Sequence, residues 1–195
     1  MDKSVEFFFD YVSPYSYLSN SQLSSFSNID IVYRPMLLGA VMQSTKNNPP
    51  GMIPAKGKYI TKDLNLWAQH YDIPFKMNSV FPQNTLNALR LAIVCQQEGC
   101  FQLIHEALFQ AMFVNDLDLS NLDVLESLID KYQLKSDRLI GKISEISIKD
   151  VLKKNTHEAI SRGAFGAPTF FVGDEMFFGN DRLHFISKIM SSKDQ

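Results

Sequence analysis

The residues best placed to do chemistry lie in three short stretches. The first is Ser13-Pro14-Tyr15-Ser16, which follows the apolar run Phe7-Phe8-Phe9 and the acid Asp10. Such an aromatic run reads as a buried strand, and Ser13 before Pro14 reads as an N-cap with proline at the first helical position. Ser13 would then stand on a strand-to-helix turn, at the positive end of the helix. A serine hydroxyl is a weak nucleophile unless a base takes its proton, and no histidine is close in sequence. What it does cheaply is donate a hydrogen bond to an anion, beside the free N–H groups and the dipole of the helix. The obvious anion is a thiolate brought in by a small molecule. A free thiol titrates near about 8.5, so little of it is ionised at neutral pH. A helix N-terminus with a hydroxyl donor lowers that by about a unit, or about 1.4 kcal/mol. Taken alone, Ser13 is more simply explained as a plain N-cap.

The second stretch is Gly166-Ala167-Pro168-Thr169, a loop proline just before the strand-like run Thr169-Phe170-Phe171-Val172. If that proline is cis, as is common in the topology derived below, the backbone of Ala167 is left unpaired opposite the first helix. An extended peptide can pair with it as an added strand. Glutathione is a thiol peptide of the right kind, and its cysteine would lie between Ala167 and Ser13. The third stretch is Gly179-Asn180-Asp181. A helix start there would hold a carboxylate on its N–H groups and an ammonium on Asp181. A plain capping turn explains that stretch as well, but the three together define one cleft.

These stretches need elements to position them. Residues 5–9 read as a strand, Pro14 to about Phe26 as a helix, and Ile29 to Tyr33 as a second strand stopping at Arg34-Pro35. That order predicts a right-handed βαβ unit with parallel strands. From Asn47 to Gly57 a Pro/Gly-rich stretch reads as a long irregular loop, with Lys46, Lys56, Lys58 and Lys62 in or beside it. It is either a solvated basic loop or a wall that meets an anionic ligand. Helical spacing then runs through 61–71, through Leu86, Leu89 and Ile93, through Ile104 to Met112, and through Leu122, Leu125 and Ile129 from a start at Asp118 or Ser120. Short helices continue to a stop at Gly163. Strands return at 169–172 and 175–178 around a Gly173-Asp174 hairpin turn. A last helix places Leu183, Ile186 and Met190 inward. This βαβ…ββα order is the thioredoxin topology of an α/β protein. Residues 1–36 and 155–195 form that domain, and 37–154 are an all-helical insertion.

Composition bounds the function. At 195 residues, 45% apolar with 15 Phe, the chain can bury a large core. A net charge of −2 offers no footprint for nucleic acid. No signal segment and no apolar run near about 20 residues is visible, so a cytoplasmic protein without a membrane span is expected. Cys95 and Cys100, five residues apart around Gly99, make neither a redox CxxC nor a zinc pattern. His70, His105, His157 and His184 are scattered, so no metal site is expected. A P-loop lysine and a GxGxxG are both absent.

In a thioredoxin-type fold the reactive cysteine pair sits where this chain has Ser13 and Ser16, so disulfide chemistry is excluded there. The chain resembles the glutathione-dependent 2-hydroxychromene-2-carboxylate isomerases and the kappa-class glutathione transferases, which are thioredoxin folds with a DsbA-like helical insertion. The resemblance rests on Phe9-Asp-Tyr-Val-Ser13-Pro-Tyr-Ser-Tyr-Leu18, on Phe165-Gly-Ala-Pro168-Thr-Phe-Phe-Val-Gly-Asp174, on Phe178-Gly-Asn-Asp-Arg-Leu183 and on Trp67-Ala-Gln-His-Tyr-Asp-Ile-Pro74. It spans nearly the whole chain. It implies that Ser13 hydrogen-bonds the glutathione sulfur, that Ala167 before cis-Pro168 pairs with the cysteinyl unit, and that Phe178, Gly179, Asn180 and Asp181 hold the γ-glutamyl end. It further implies Tyr15, Asn47 and Lys56 near glutathione, Asn84 on the substrate side, and a homodimer.

The isomerase reading implies reversible thiolate addition to 2-hydroxychromene-2-carboxylate, a small aromatic-pathway carboxylate. Ring opening, rotation and thiolate expulsion then give the trans open-chain hydroxybenzylidenepyruvate. The loop from Asn47 to Tyr59 is closer to the kappa-class transferase or peroxidase pattern, whereas Phe178-Gly-Asn-Asp181 leans towards the isomerases. A non-catalytic thioredoxin-like binding module is the third reading, favoured by the missing cysteines and opposed by the intact Ser13, Pro168 and Asn180-Asp181 set.

Overall fold

The computed structural model describes residues 4–26 and 29–192. Strand β1 (Ser4–Phe9) carries the Phe7-Phe8-Phe9 run and is the anchor of the sheet. All three rings are fully buried, which stabilises the fold by roughly 2 kcal/mol each. Helix α1 (Pro14–Leu23) follows after a four-residue turn. It ends three residues earlier than the sequence suggests, at a C-cap on Ser24 where the Ser25 N–H donates to the Gln22 carbonyl at 3.1 Å. Strand β2 (Asp30–Pro35) pairs parallel with β1, Phe7 opposite Tyr33. Its terminal proline is tolerated because β2 lies at the sheet edge. Strands β3 (Thr169–Val172) and β4 (Glu175–Phe178) complete a sheet of order β2-β1-β3-β4, with β3 antiparallel to both neighbours. Gly173 takes a φ of +61° in the hairpin turn, as expected of that position.

The two faces of the sheet bury different things. Phe7, Phe9 and Phe170 point to one face and join Tyr17, Leu183, Ile186 and the insertion helices in the main core. Phe7 stacks on Phe170 at a centroid distance of 4.9 Å. Phe8 and Phe171 point to the other face, against Met36, Val41 and Ala159.

The stretch read as a long irregular loop is mostly helical. Helix α2 (Leu38–Ser44) precedes it, inside the insertion read as helical but where apolar spacing marks no helix, and a 3-10 turn (Pro50–Met52) then leads into α3 (Pro54–His70). Pro54 begins α3 where its missing N–H costs nothing. Gly57 lets the helix lie against the 3-10 turn: a Cβ there would stand 3.2 Å from the Gly51 carbonyl oxygen. Lys56, Lys58 and Lys62 therefore project from a helix.

Helices α4 (Leu86–Glu98), α5 (Phe101–Phe113) and α6 (Leu122–Lys131) lie where the apolar spacing puts them. Asn121, rather than Asp118 or Ser120, caps α6 by accepting from Asp123 N–H at 2.9 Å. Helix α7 (Ser136–Lys142) is short, but α8 (Ile146–Ser161) has 16 residues and ends before Gly163 at φ +94°. The boundary drawn at 154–155 thus falls inside an unbroken helix. A 3-10 turn (Asn180–Arg182) precedes the last helix, α9 (Leu183–Ser192). No helix among the described residues is long and apolar enough to cross a membrane.

Candidate active site

Ser13 caps α1 through its hydroxyl, which accepts the Ser16 N–H at 3.2 Å. The same hydroxyl donates to the Ala167 carbonyl at 3.0 Å, across 154 residues of sequence. The first two stretches therefore meet. The Ala167–Pro168 peptide is cis. Ala167 N–H has no hydrogen-bond partner among the described residues, nor has the Tyr15 N–H in the first turn of α1. These two open donors flank the Ser13 hydroxyl. They fit a cysteinyl thiol, which brings a carbonyl for one and an anionic sulfur for the helix start.

Asp10 holds the turn that presents Ser13. Its backbone carbonyl accepts the Ser13 N–H at 3.0 Å. Its carboxylate accepts from Val12 N–H at 3.1 Å, from Leu38 N–H at 2.9 Å and from the Thr85 hydroxyl. One buried side chain thus ties together the starts of α1, α2 and α4. Burial raises its pKa, and the hydrogen bonds from Thr85, Leu38 and Val12 pull the other way. The sequence offered one signal, an acid directly after three buried phenylalanines, and it was not recognised as a hub.

The third stretch joins through backbone and rings. Gly179 N–H donates to the Pro168 carbonyl at 3.1 Å. Gly179 sits at φ +97° and ψ 156°, a region open in practice only to glycine. The Phe178 ring lies 4.4 Å from that of Phe165 and covers Gly166, where a Cβ would come within 2.7 Å of it. Asn180 is 3% exposed, and its amide turns inward to the Tyr71 hydroxyl at 3.4 Å. Tyr71 in turn donates to the Asn180 carbonyl at 3.2 Å. Asp181 is half-exposed and pairs with Arg182.

The remaining expected residues are spread around this centre. Tyr15 donates to Asp63 on α3 at 2.8 Å; burial first, then that carboxylate, pushes its phenol well up, with Asp181 adding to the effect. Asn47 donates to the Phe165 carbonyl at 2.9 Å and so fastens the 3-10 turn region to the segment before Ala167. Lys56 is exposed in the first turn of α3, and its side chain makes no hydrogen bond or ion pair among the described residues. Asn84 is exposed and its side chain accepts Leu86 N–H at 3.1 Å, at the start of α4. Asp63 and Tyr71 were missed as participants; both lie on α3 or at its end, within the insertion, and only the fold brings them to Tyr15 and Asn180. Among the described residues no group of three His, Cys, Asp or Glu is placed to hold a metal ion.

Two observations from known proteins decide the family. The model of a DSBA-like thioredoxin domain matches residues 4–191. This chain belongs to that family. A 2-hydroxychromene-2-carboxylate isomerase of Pseudomonas putida is 34% identical, over 95% of this chain and 93% of that protein. Glutathione S-transferase kappa 1 of Rattus norvegicus is 30% identical, over 97% and 91%. The solved structure of a 2-hydroxychromene-2-carboxylate isomerase superposes with a TM-score of 0.88 at 28% identity, covering 97% of this chain and 95% of the other. The cytosolic disulfide reductase DsbM of Pseudomonas aeruginosa matches at 0.70 and 13%, which is a likeness of fold. The resemblance read from the motifs, and the DsbA-like thioredoxin fold it implied, are therefore borne out. Ser13 caps α1 and Ser16 lies in its first turn, with its hydroxyl buried and without a hydrogen-bond partner among the described residues.

Proposed function

We propose that the chain is a glutathione-dependent isomerase acting on 2-hydroxychromene-2-carboxylate or a similar aromatic-pathway carboxylate. The supporting observation is the Ser13 hydroxyl held 3.0 Å from the Ala167 carbonyl beside cis-Pro168, where a thiol peptide would pair. Glutathione, when bound, supplies a thiolate nucleophile in the place where this chain has Ser13 and Ser16. Ser13 donates its hydroxyl proton to the sulfur, and the N-terminus of α1 favours the anion electrostatically. Ala167 orients the cysteinyl backbone. Gly179 to Asp181 receive the γ-glutamyl end, with the Asp181 carboxylate as the ammonium partner. Phe165 and Phe178 form an apolar, partly exposed wall beside Gly166. Lys56 and its neighbours on α3 draw the substrate carboxylate by charge.

The residues favour a shared thiol site, and the rat transferase, similar over 97% of the chain, favours a second reading, a kappa-type glutathione transferase. Turnover separates the two. Incubation with the chromene carboxylate should convert substrate while the total free thiol stays constant. Thiol loss in step with a chloronitrobenzene electrophile, without isomerisation, would select the transferase. Neither activity, together with no heat from glutathione in calorimetry, would leave the binding-module reading.

A further inference from the structure

A serine hydroxyl has one proton to give. Here that proton goes to the Ala167 carbonyl at 3.0 Å, while a lone pair takes the Ser16 N–H at 3.2 Å. The group assigned to the sulfur is thus already engaged by its own chain. Ser13 is 4% exposed and Ala167 9%, so water is a poor substitute partner for either. A buried carbonyl left without a donor is costly, more so than an ordinary hydrogen bond is favourable. Ala167 is therefore asymmetric: its N–H is open, and its carbonyl is occupied by the residue across the cleft.

We propose that Ser13 and the Ala167 carbonyl form a self-closed pair, released only by a thiol ligand that brings its own N–H to that carbonyl. The proposal rests on the glutathione reading and names the part of the ligand that activates the site. An N–H delivered to Ala167 takes over the carbonyl, and the Ser13 hydroxyl turns to the sulfur without leaving a buried acceptor unpaired. A cysteinyl unit in amide linkage carries that N–H beside its thiol, and a carbonyl for the open Ala167 N–H. A simple alkyl thiol carries neither. The selected class is cysteinyl thiols acylated on nitrogen, and small free thiols are left unactivated even at concentrations that fill the cleft.

The Ala167 carbonyl reports this directly. Ala167-Pro168 is the only Ala–Pro step in the sequence, so labelling alanine carbonyls with carbon-13 and proline with nitrogen-15 isolates one coupled resonance. In the free protein, Ser13→Ala and Ser13→Gly should each shift that resonance from the wild-type position; the glycine variant keeps a competent N-cap, so folding is not at issue. With glutathione at saturation by calorimetry, wild type and both variants should coincide, because the ligand N–H has replaced the hydroxyl. Excess ethanethiol should leave the wild-type resonance where it is in the free protein. Coincident resonances in the free proteins would overturn the proposal, as would a difference that persists undiminished under saturating glutathione. A free-protein difference with no heat from glutathione would instead overturn the reading of the ligand.

Discussion

At the scale of single residues, the site turns on which hydroxyls and carboxylates are already spoken for. Ser13→Ala should keep glutathione binding but lose turnover on the order of a hundredfold, the usual cost of removing one donor to a reacting anion. Steady-state rates set beside a calorimetric Kd check this, and full activity would exclude Ser13 from the chemistry. His105 makes a different prediction. It is fully buried between Phe9, Tyr33, Phe101 and Phe109, bonded to the Tyr11 hydroxyl and to Asn20, each at 2.9 Å. Burial lowers its pKa from 6.5 to about 3. Below pH 6.5 the unfolded chain takes up a proton that the folded chain refuses. The stability His105 provides is therefore complete above that pH and is lost as pH falls towards 3. The loss reaches about 2 kcal/mol by roughly pH 5. Asp10, with its raised pKa, works in the opposite direction, so the test is a difference. The stability gap between wild type and His105→Gln, from urea unfolding, should narrow on acidification; a constant gap would contradict the assignment. Ser13 and Pro168 were legible because serine before proline marks a helix start and a loop proline directly before an aromatic run marks a strand entry. His105 was not, because a lone histidine at helical spacing says nothing of the rings around it.

At the scale of elements, the strands and most helices followed from apolar spacing, and the miss fell between Met36 and Ile60. Prolines and glycines there suggested a loop. Pro54 in fact opens α3 as a first-turn residue, and Gly57 serves a close approach to Gly51. Such residues mark helix starts as readily as loops, and only the partner element tells which. The turn at Gly179 is the opposite case, where glycine is required. Gly179→Ala should destabilise the protein by about 1–3 kcal/mol, since alanine is strained in that backbone region. Its Cβ would also lie 2.6 Å from Asp181 Oδ1 and displace the carboxylate. Denaturation midpoints and glutathione affinity should fall together. An unchanged affinity with reduced stability would remove Asp181 from the binding site.

At the scale of the whole molecule, the two topological parts share one core, and α8 runs across the division between them. On the Phe8 face, Glu6 of β1 pairs with Arg34 of β2 and Arg162 just after α8, and Glu158 of α8 pairs with the same two arginines. Arg162 also lies over the Phe171 ring at 3.7 Å. This network joins the sheet to α8, and composition gave no hint of it because Glu158 and Arg162, four residues apart, meet Glu6 and Arg34 from the other end of the chain. Glu6→Gln should cost about 1 kcal/mol, a charged hydrogen-bond loss reduced by partial solvent screening, with activity retained. Urea unfolding measures it, and a change in kcat would point to coupling between α8 and the cleft.

The central claim is that α1 and Ser13 tune a borrowed thiol. The ultraviolet absorbance of the thiolate, followed against pH for glutathione bound to wild type and to Ser13→Ala, tests it most directly. The account predicts a bound thiol that titrates at least about a unit below its free value in the wild type and rises towards that value in the variant. A bound thiol with the same pKa in both proteins, or the same pKa as free glutathione, would contradict it.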